Sequence, residues 1–290
     1  YNGAFFDYTE SILINPQNSE VYYNRGVTKY AKEDPDGAIA DYTEAIRLNP
    51  QNDRVYNGRG LLKYAKRNYD GAIVDYTEAI HLNPQNATTY NNRGVAKNAK
   101  KDSDGAIVDY NEAIRLDPQN PEAYANRGLA KYAKKDYDGT IADYTEAIRL
   151  NPQFANIYNE RGLAKYTKGD YDGAIADYTE LIRLNPQNSE AYSNRGLAKY
   201  AKGDYDGAIA DHNEAIRLNP QNTFAPKNKE LALKKLLERY DERLKQEKYE
   251  LAKEDLLILK KYMSDPSNRL EEELNKLEKL LHEKSPKKQE

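Results

Sequence analysis

The chain has 290 residues, 31% of them charged, and its 44 basic and 47 acidic side chains leave a net charge of −3. Such a balance makes no electrostatic case for nucleic acid as a partner. With no cysteine at all, disulfides, thiolate nucleophiles and Cys-ligated zinc are excluded.

Seven prolines, from Pro16 through Pro50, Pro84, Pro118, Pro152 and Pro186 to Pro220, fall at steps of 34 residues. A period in this range marks a repeat array, in which each unit buries its apolar face only against its neighbours. The 39% hydrophobic content and mean hydropathy of −0.99 would suit disorder. Apolar Tyr, Ile, Leu and Ala at regular spacing argue for the array instead.

In chain order, residues 1–18 (YNGAFFDYTESILINPQN) align with the second half of a unit, with Tyr1 in the Tyr205 column and Asp7 in the Asp211 column. Ala4, Phe5, Tyr8, Ile12 and Ile14 form an apolar face that calls for a neighbouring helix from elsewhere. No secretory signal opens the sequence and no apolar run approaches a membrane span, so no membrane insertion is expected. The compartment stays open, with the cytoplasm as the default.

Six units of 34 residues follow, at 19–52, 53–86, 87–120, 121–154, 155–188 and 189–222. Each reads as two helices. In the last, small and apolar Ala191, Tyr192, Gly196, Leu197, Ala198 and Tyr200 mark a helix from about Ser189 to Lys202. Asp204 or Asp206 can cap the next one, in which Ala208, Ile209, His212, Ala215, Ile216 and Leu218 recur at helical spacing. Asn219-Pro220 stops it, because a residue before proline is pushed away from helical angles. A glycine inside a helix costs about 1 kcal/mol against alanine. Its recurrence at the Gly196 column predicts a second helix passing too close for any side chain.

Beyond Thr223-Phe224-Ala225-Pro226 the style changes. Residues 229–246 read as an amphipathic helix, and Tyr249, Ala252, Leu256 and Leu259 echo the Tyr205, Ala208, His212 and Ala215 columns as a degenerate repeat. Ser264-Asp265-Pro266 then opens a last Leu-rich helix (Leu270, Leu274, Leu277, Leu280, Leu281). Residues 223–290 are therefore expected to cap the array, with homodimerisation through that helix as the alternative, and KSPKKQE reads as a frayed tail.

The 34-residue step, the aromatic Tyr192 and Tyr178 columns, Gly196, Ala208, Ala215 and Pro220 together resemble the tetratricopeptide repeat family. Pentatricopeptide repeats, which step by one more residue and usually bind RNA, fit neither the spacing nor the charge. The resemblance covers roughly residues 1–222. It implies an all-α, right-handed superhelical solenoid of antiparallel helix pairs with a C-terminal helical cap. Two departures stand out: the family usually has Leu where Arg195 stands and an aromatic where Lys199 stands.

The resemblance also implies that each first helix lines a concave face, with the Asn194 and Leu197 columns as contact places. Asn24, Asn92, Asn126 and Asn194 form one such column, broken by Gly58 and Glu160. It resembles the Asn ladder of the O-linked N-acetylglucosamine transferase superhelix, which holds an extended peptide by its backbone. An amide suits that work because it both donates and accepts. Tyr30, Tyr64, Tyr132, Tyr166 and Tyr200, with Asn98 as the gap, form a second candidate column. These tyrosines either face a bound peptide or pack between neighbouring repeats. The carboxylate clamp of chaperone-tail-binding relatives is absent, since its places hold Tyr23 or Asn57 and Val27 or Leu61.

A third pattern is charged. Arg25, Arg59, Arg93, Arg127, Arg161 and Arg195 recur with Asp41, Asp75, Asp109, Asp143, Asp177 and Asp211, which predicts forked Arg–Asp bridges that fix how repeats stack. Asp34, Asp36, Asp41 and Glu44 lack the ligand spacing of a calcium loop. His81, His212 and His282 stand at no ligand or triad spacing. No metal, cofactor or catalysis is expected. The expected function is a non-enzymatic scaffold or adaptor that binds a peptide or protein segment. A self-assembly module, or the regulatory arm of a larger enzyme, is the alternative.

Overall fold

The computed structural model describes residues 2–263 and 269–284. Ser264-Asp265-Pro266, Tyr1 and residues 285–290 lie outside the described residues, and the helix cap and tail expected there with them. The described chain is all-α, with no strand. Packing divides it into two units, Tyr1–Phe154 and Ala155–Glu290.

In the first unit, α1 (Asn2–Ile14) precedes four helix pairs: α2 (Ser19–Ala31) with α3 (Pro35–Leu48), α4 (Asp53–Ala65) with α5 (Tyr69–Leu82), α6 (Ala87–Ala99) with α7 (Ser103–Leu116), and α8 (Pro121–Ala133) with α9 (Tyr137–Leu150). The second unit holds α10 (Ala155–Lys168) with α11 (Tyr171–Leu184), α12 (Ser189–Lys202) with α13 (Tyr205–Leu218), then α14 (Phe224–Lys245), α15 (Tyr249–Tyr262) and α16 (Arg269–Lys284). Within each unit, every helix packs on the next. First helices of successive pairs also touch, α4 with α6, α6 with α8 and α12 with α14, and no two second helices come as close.

Local chemistry explains the pairs. Asn52, Asn86, Asn120 and Asn188 cap first helices by accepting a backbone N–H with their side chains. Asp34, Asp102, Asp136, Asp170 and Asp204 cap second helices through the N–H of a glycine three residues on, at 2.9–3.0 Å. A Cβ on that glycine would lie 2.0–2.3 Å from the capping carboxylate, so glycine there serves the cap. Of the two expected caps, Asp204 does this work, while Asp206 lies inside α13.

The other glycine column is explained by a ring rather than by a second backbone. A Cβ on Gly26, Gly60, Gly94, Gly128 or Gly162 would lie 2.6–2.8 Å from Cε1 of Tyr42, Tyr76, Tyr110, Tyr144 or Tyr178, respectively. Those rings are buried and form the centre of each pair, flanked by alanines such as Ala72, Ala96, Ala106 and Ala130. In the sixth pair His212 takes the ring's place over Gly196.

The far end differs from expectation at its start. α14 begins at Phe224 rather than near 229, because Pro226 in a first turn needs no N–H partner and Asn222 Oδ1 accepts from Phe224 N and Ala225 N at 2.9 Å. Leu274 and Leu277 of α16 are buried in one cluster with Leu236, Leu256 and Leu259, so these leucines are engaged within the chain itself.

Candidate interaction surface

Each Arg–Asp pair joins the two helices of its own repeat. Arg59 donates from Nε to Asp75 Oδ2 at 2.9 Å and from Nη2 to Oδ1 at 2.8 Å. Arg25, Arg93, Arg127, Arg161 and Arg195 hold Asp41, Asp109, Asp143, Asp177 and Asp211 in the same fork. The carboxylates are only 1–4% exposed. Hydrogen bonding to Asp41 raises the Arg25 guanidinium above its ordinary value.

A lysine that sequence reasoning left unassigned completes the site. Lys29, Lys63, Lys97, Lys131, Lys165 and Lys199 reach the Asp Oδ2 of the same repeat at 2.7–2.9 Å. This explains both departures from the family pattern, since Arg195 and Lys199 stand one helical turn apart and share Asp211. The signal was present as a basic pair spaced by four residues in every unit. The guanidinium's remaining nitrogen looks backward along the array. Arg59, Arg93 and Arg195 donate from Nη1 to Thr43, Thr77 and Thr179 of the preceding second helix at 3.1–3.2 Å, and Arg127 to Asn111 at 2.7 Å. Tyr56, Tyr90, Tyr124 and Tyr192 lie beneath those four guanidinia, 5.5–5.8 Å from ring centre. We propose that this backward contact sets repeat stacking. In the degenerate pair, Arg239 and Arg243 both bind Asp255, at the same spacing as Arg195, Lys199 and Asp211.

The asparagines are partly engaged with one another. Asn92, Asn126 and Asn194 donate from Nδ2 to Oδ1 of Asn57, Asn91 and Asn159 on the preceding first helix at 3.0–3.2 Å. Each rung leaves one N–H and the donor's own Oδ1 for other partners. The side chain of Asn24 makes no such rung among the described residues. At the interruption, Glu160 is half-buried, and burial, opposed by a hydrogen bond with Asn159 and aided by Glu190, raises its pKa from its ordinary value.

The tyrosine column is half-buried and pairs within each repeat. Tyr64, Tyr132, Tyr166 and Tyr200 meet Tyr69, Tyr137, Tyr171 and Tyr205 with ring centres 5.4–5.6 Å apart. Tyr64 and Tyr166 also pack on the buried clusters around Tyr76 and Tyr178. Tyr30 has Pro35 where the partner ring would stand, and is 55% exposed. One turn beyond the asparagines runs an exposed aliphatic column, with Val27, Leu61, Leu129 and Leu163 showing 42, 45, 46 and 38% of their surface. Asn, aliphatic and Tyr thus follow each other at three-residue steps along one helix face.

Tetratricopeptide-repeat profiles match residues 19–52 and 159–223, and a TPR-repeat profile matches 60–101, 96–135 and 128–169. The chain belongs to the tetratricopeptide repeat family. Among solved structures it is similar to MamA (28% identity, TM-score 0.56, covering 58% of this chain and 92% of that one). It is also similar to YrrB, described as a TPR protein with an unusual peptide-binding site (20% identity, TM-score 0.59, covering 65% and 97%). The C-terminal part of a TPR repeat-containing protein from Cytophaga hutchinsonii gives a TM-score of 0.67 at 20% identity, covering 79% of this chain and 94% of that one. No curated protein matches the sequence significantly. Because 443 solved chains match, likeness of fold alone selects no partner. Family and fold support a protein-interaction scaffold in general. No helix among the described residues is long and apolar enough to cross a membrane.

Proposed function

We propose that the chain is a non-enzymatic scaffold that binds a peptide or protein segment along the first-helix face of its repeats. The observation that carries this reading is the exposed aliphatic column beside the asparagine rungs. An apolar stripe repeated at each unit and flanked by amides with unused donors and acceptors suits an extended chain. In the unit of residues 1–154, its side chains would be covered by Leu61 and Leu129, and its backbone bonded by Asn92 and Asn126. The paired tyrosines contribute as walls of this face rather than as free stacking platforms. The Arg–Lys–Asp groups, buried between helices, hold the face in shape.

The test is a displayed library of short random peptides selected on the intact protein. Enriched peptides should bind Leu61→Ser and Leu129→Ser variants about tenfold more weakly, which corresponds to losing most of one buried side chain's contribution per site. They should bind Val108→Ser, an exposed residue of a second helix, as they bind the unchanged protein. Equal binding to all three variants would remove the first-helix face as the site.

A further inference from the structure

Two places where the first and second repeats depart from the other units, Tyr23 and Gly58, line one pocket, and a third, Pro35, bears on the Tyr30 that lines it too. Tyr23 stands where Asn57, Asn91 and Asn159 stand in other units, Pro35 where a tyrosine usually stands, and Gly58 where most units have asparagine. Pro35 leaves Tyr30 without its partner ring, Gly58 places no side chain against the edge of Tyr42, and Tyr23 stacks on Tyr42 with ring centres 5.6 Å apart and planes at 26°. The result is a cavity of about 380 Å³ whose lining includes Tyr23, Tyr30, Tyr42 and Leu61 together with Arg54 and Asn57. That volume lies within the range of ordinary small-ligand sites. The central Tyr42 and Tyr76, the glycines Gly26 and Gly60 against them and the Arg–Lys–Asp groups are kept in these two repeats, so the helix pairs stay as they are.

We propose that this pocket is the specificity-determining subsite of the peptide face, and that it takes one aromatic side chain of the bound segment with an Asp or Glu beside it. This rests on the peptide-binding reading above. Three tyrosine rings offer flat apolar walls suited to offset or edge-on packing with another ring. The lining also sets the neighbouring charge. Arg54 is exposed and has no ion-pair partner among the described residues, in contrast with the Arg column, whose forks are filled. A carboxylate next to the aromatic would meet it as a charge-assisted pair, whereas a lysine or arginine there would be repelled. Asn57 accepts from Asn92 through Oδ1 at 3.2 Å, and its amide N–H groups suit a peptide carbonyl.

Gly58→Asn restores the residue found in this column at Asn24, Asn92, Asn126 and Asn194, and fills the pocket mouth. A Cβ there lies 3.3 Å from Tyr42 Cε2, so the ring need give only slightly and the fold should persist, as circular dichroism would show. Peptides selected from the displayed random library on the intact protein should carry an aromatic residue next to Asp or Glu. Their affinity should fall about tenfold or more in Gly58→Asn. In Arg54→Gln the preference for the acidic neighbour should disappear while the aromatic preference stays. If Gly58→Asn unfolds the protein, Tyr30→Ser provides the same reading from the opposite wall. Peptides that lose affinity on Leu129→Ser but are indifferent to Gly58→Asn and Arg54→Gln would overturn the subsite and leave the peptide face standing. Peptides indifferent to all of these variants, or no enrichment at all, would overturn both.

Discussion

At the scale of single residues, His212 is the departure with a measurable consequence. It replaces the ring that Tyr42, Tyr76, Tyr110, Tyr144 and Tyr178 supply, it is fully buried, and neither of its ring nitrogens has a hydrogen-bond partner. Burial lowers its pKa from 6.5 to about 4, against a smaller opposing pull from Asp211. With the folded pKa below the unfolded one, the unfolded state takes the proton first as pH falls. Stability from this residue is therefore full above pH 6.5 and is lost between there and pH 4, by about 3 kcal/mol in all. Tyr at this position cannot titrate in that window. The difference in stability between His212→Tyr and the unchanged protein, measured by denaturant unfolding, should grow as pH falls from 7 to 4. A constant difference would show that His212 is already protonated or solvated in the folded chain.

At the scale of elements, the turn inside each helix pair carries strain that the helices themselves do not. Each first helix closes with the N–H of the residue that caps the following second helix reaching back five residues, as Asp34 N does to Lys29 O at 3.0 Å and Asp204 N to Lys199 O at 2.9 Å. That closure needs one residue with positive φ. Gly169 and Gly203 supply it at 86° and 87°, but Glu33, Arg67, Lys101 and Lys135 occupy it at 61–66°. A residue with a Cβ pays roughly 1 kcal/mol there. Replacing Glu33, Arg67, Lys101 or Lys135 singly by Gly should raise the melting temperature, and the gains should add, since the turns are separate. A fall in melting temperature for all four would show that their side chains hold the turn more strongly than the backbone resists it.

At the scale of the whole molecule, the array depends on its end. Stability in repeat proteins is roughly a sum of unit terms and nearest-neighbour interfaces, so the last interface is as necessary as the others. Ile209 is fully buried in one cluster with Leu236, Tyr240, Leu256 and Leu277, while its counterparts Ile39, Ile73, Ile107 and Ile175 are half-buried. A chain ended at Asn222 should melt at a lower temperature and bind an apolar dye, because α13 would expose that face. An unchanged midpoint would mean that α14 to α16 form a separate folding unit. Exposed ion pairs also run between repeats, Lys66 with Asp36, Lys100 with Asp70 and Lys134 with Asp104. Pairs of this exposure contribute little to stability.

Much of this could be read along the sequence. The 34-residue step, the helix pairs, the Asn and Asp caps and the proline stops are local, set by backbone geometry and by side chains a few residues away. The family followed from the same columns. The functional surface was legible only as columns, because a helical period tells which residues share a face but not which neighbour's atoms they meet. Arg195 and Asp211 could be paired by their repetition, yet only packing brought Lys199 to the same carboxylate. The Asn194 column read as a contact row and the Tyr200 column as either that or packing, and the tertiary structure sets Asn194 against Asn159 and Tyr200 against Tyr205. It also brought Tyr23 and Gly58, unremarkable apart, to one pocket beside Tyr42. Local sequence determined the repeated helix pair; which donors and walls remain for a partner was decided by the side chains that adjacent repeats place against each other.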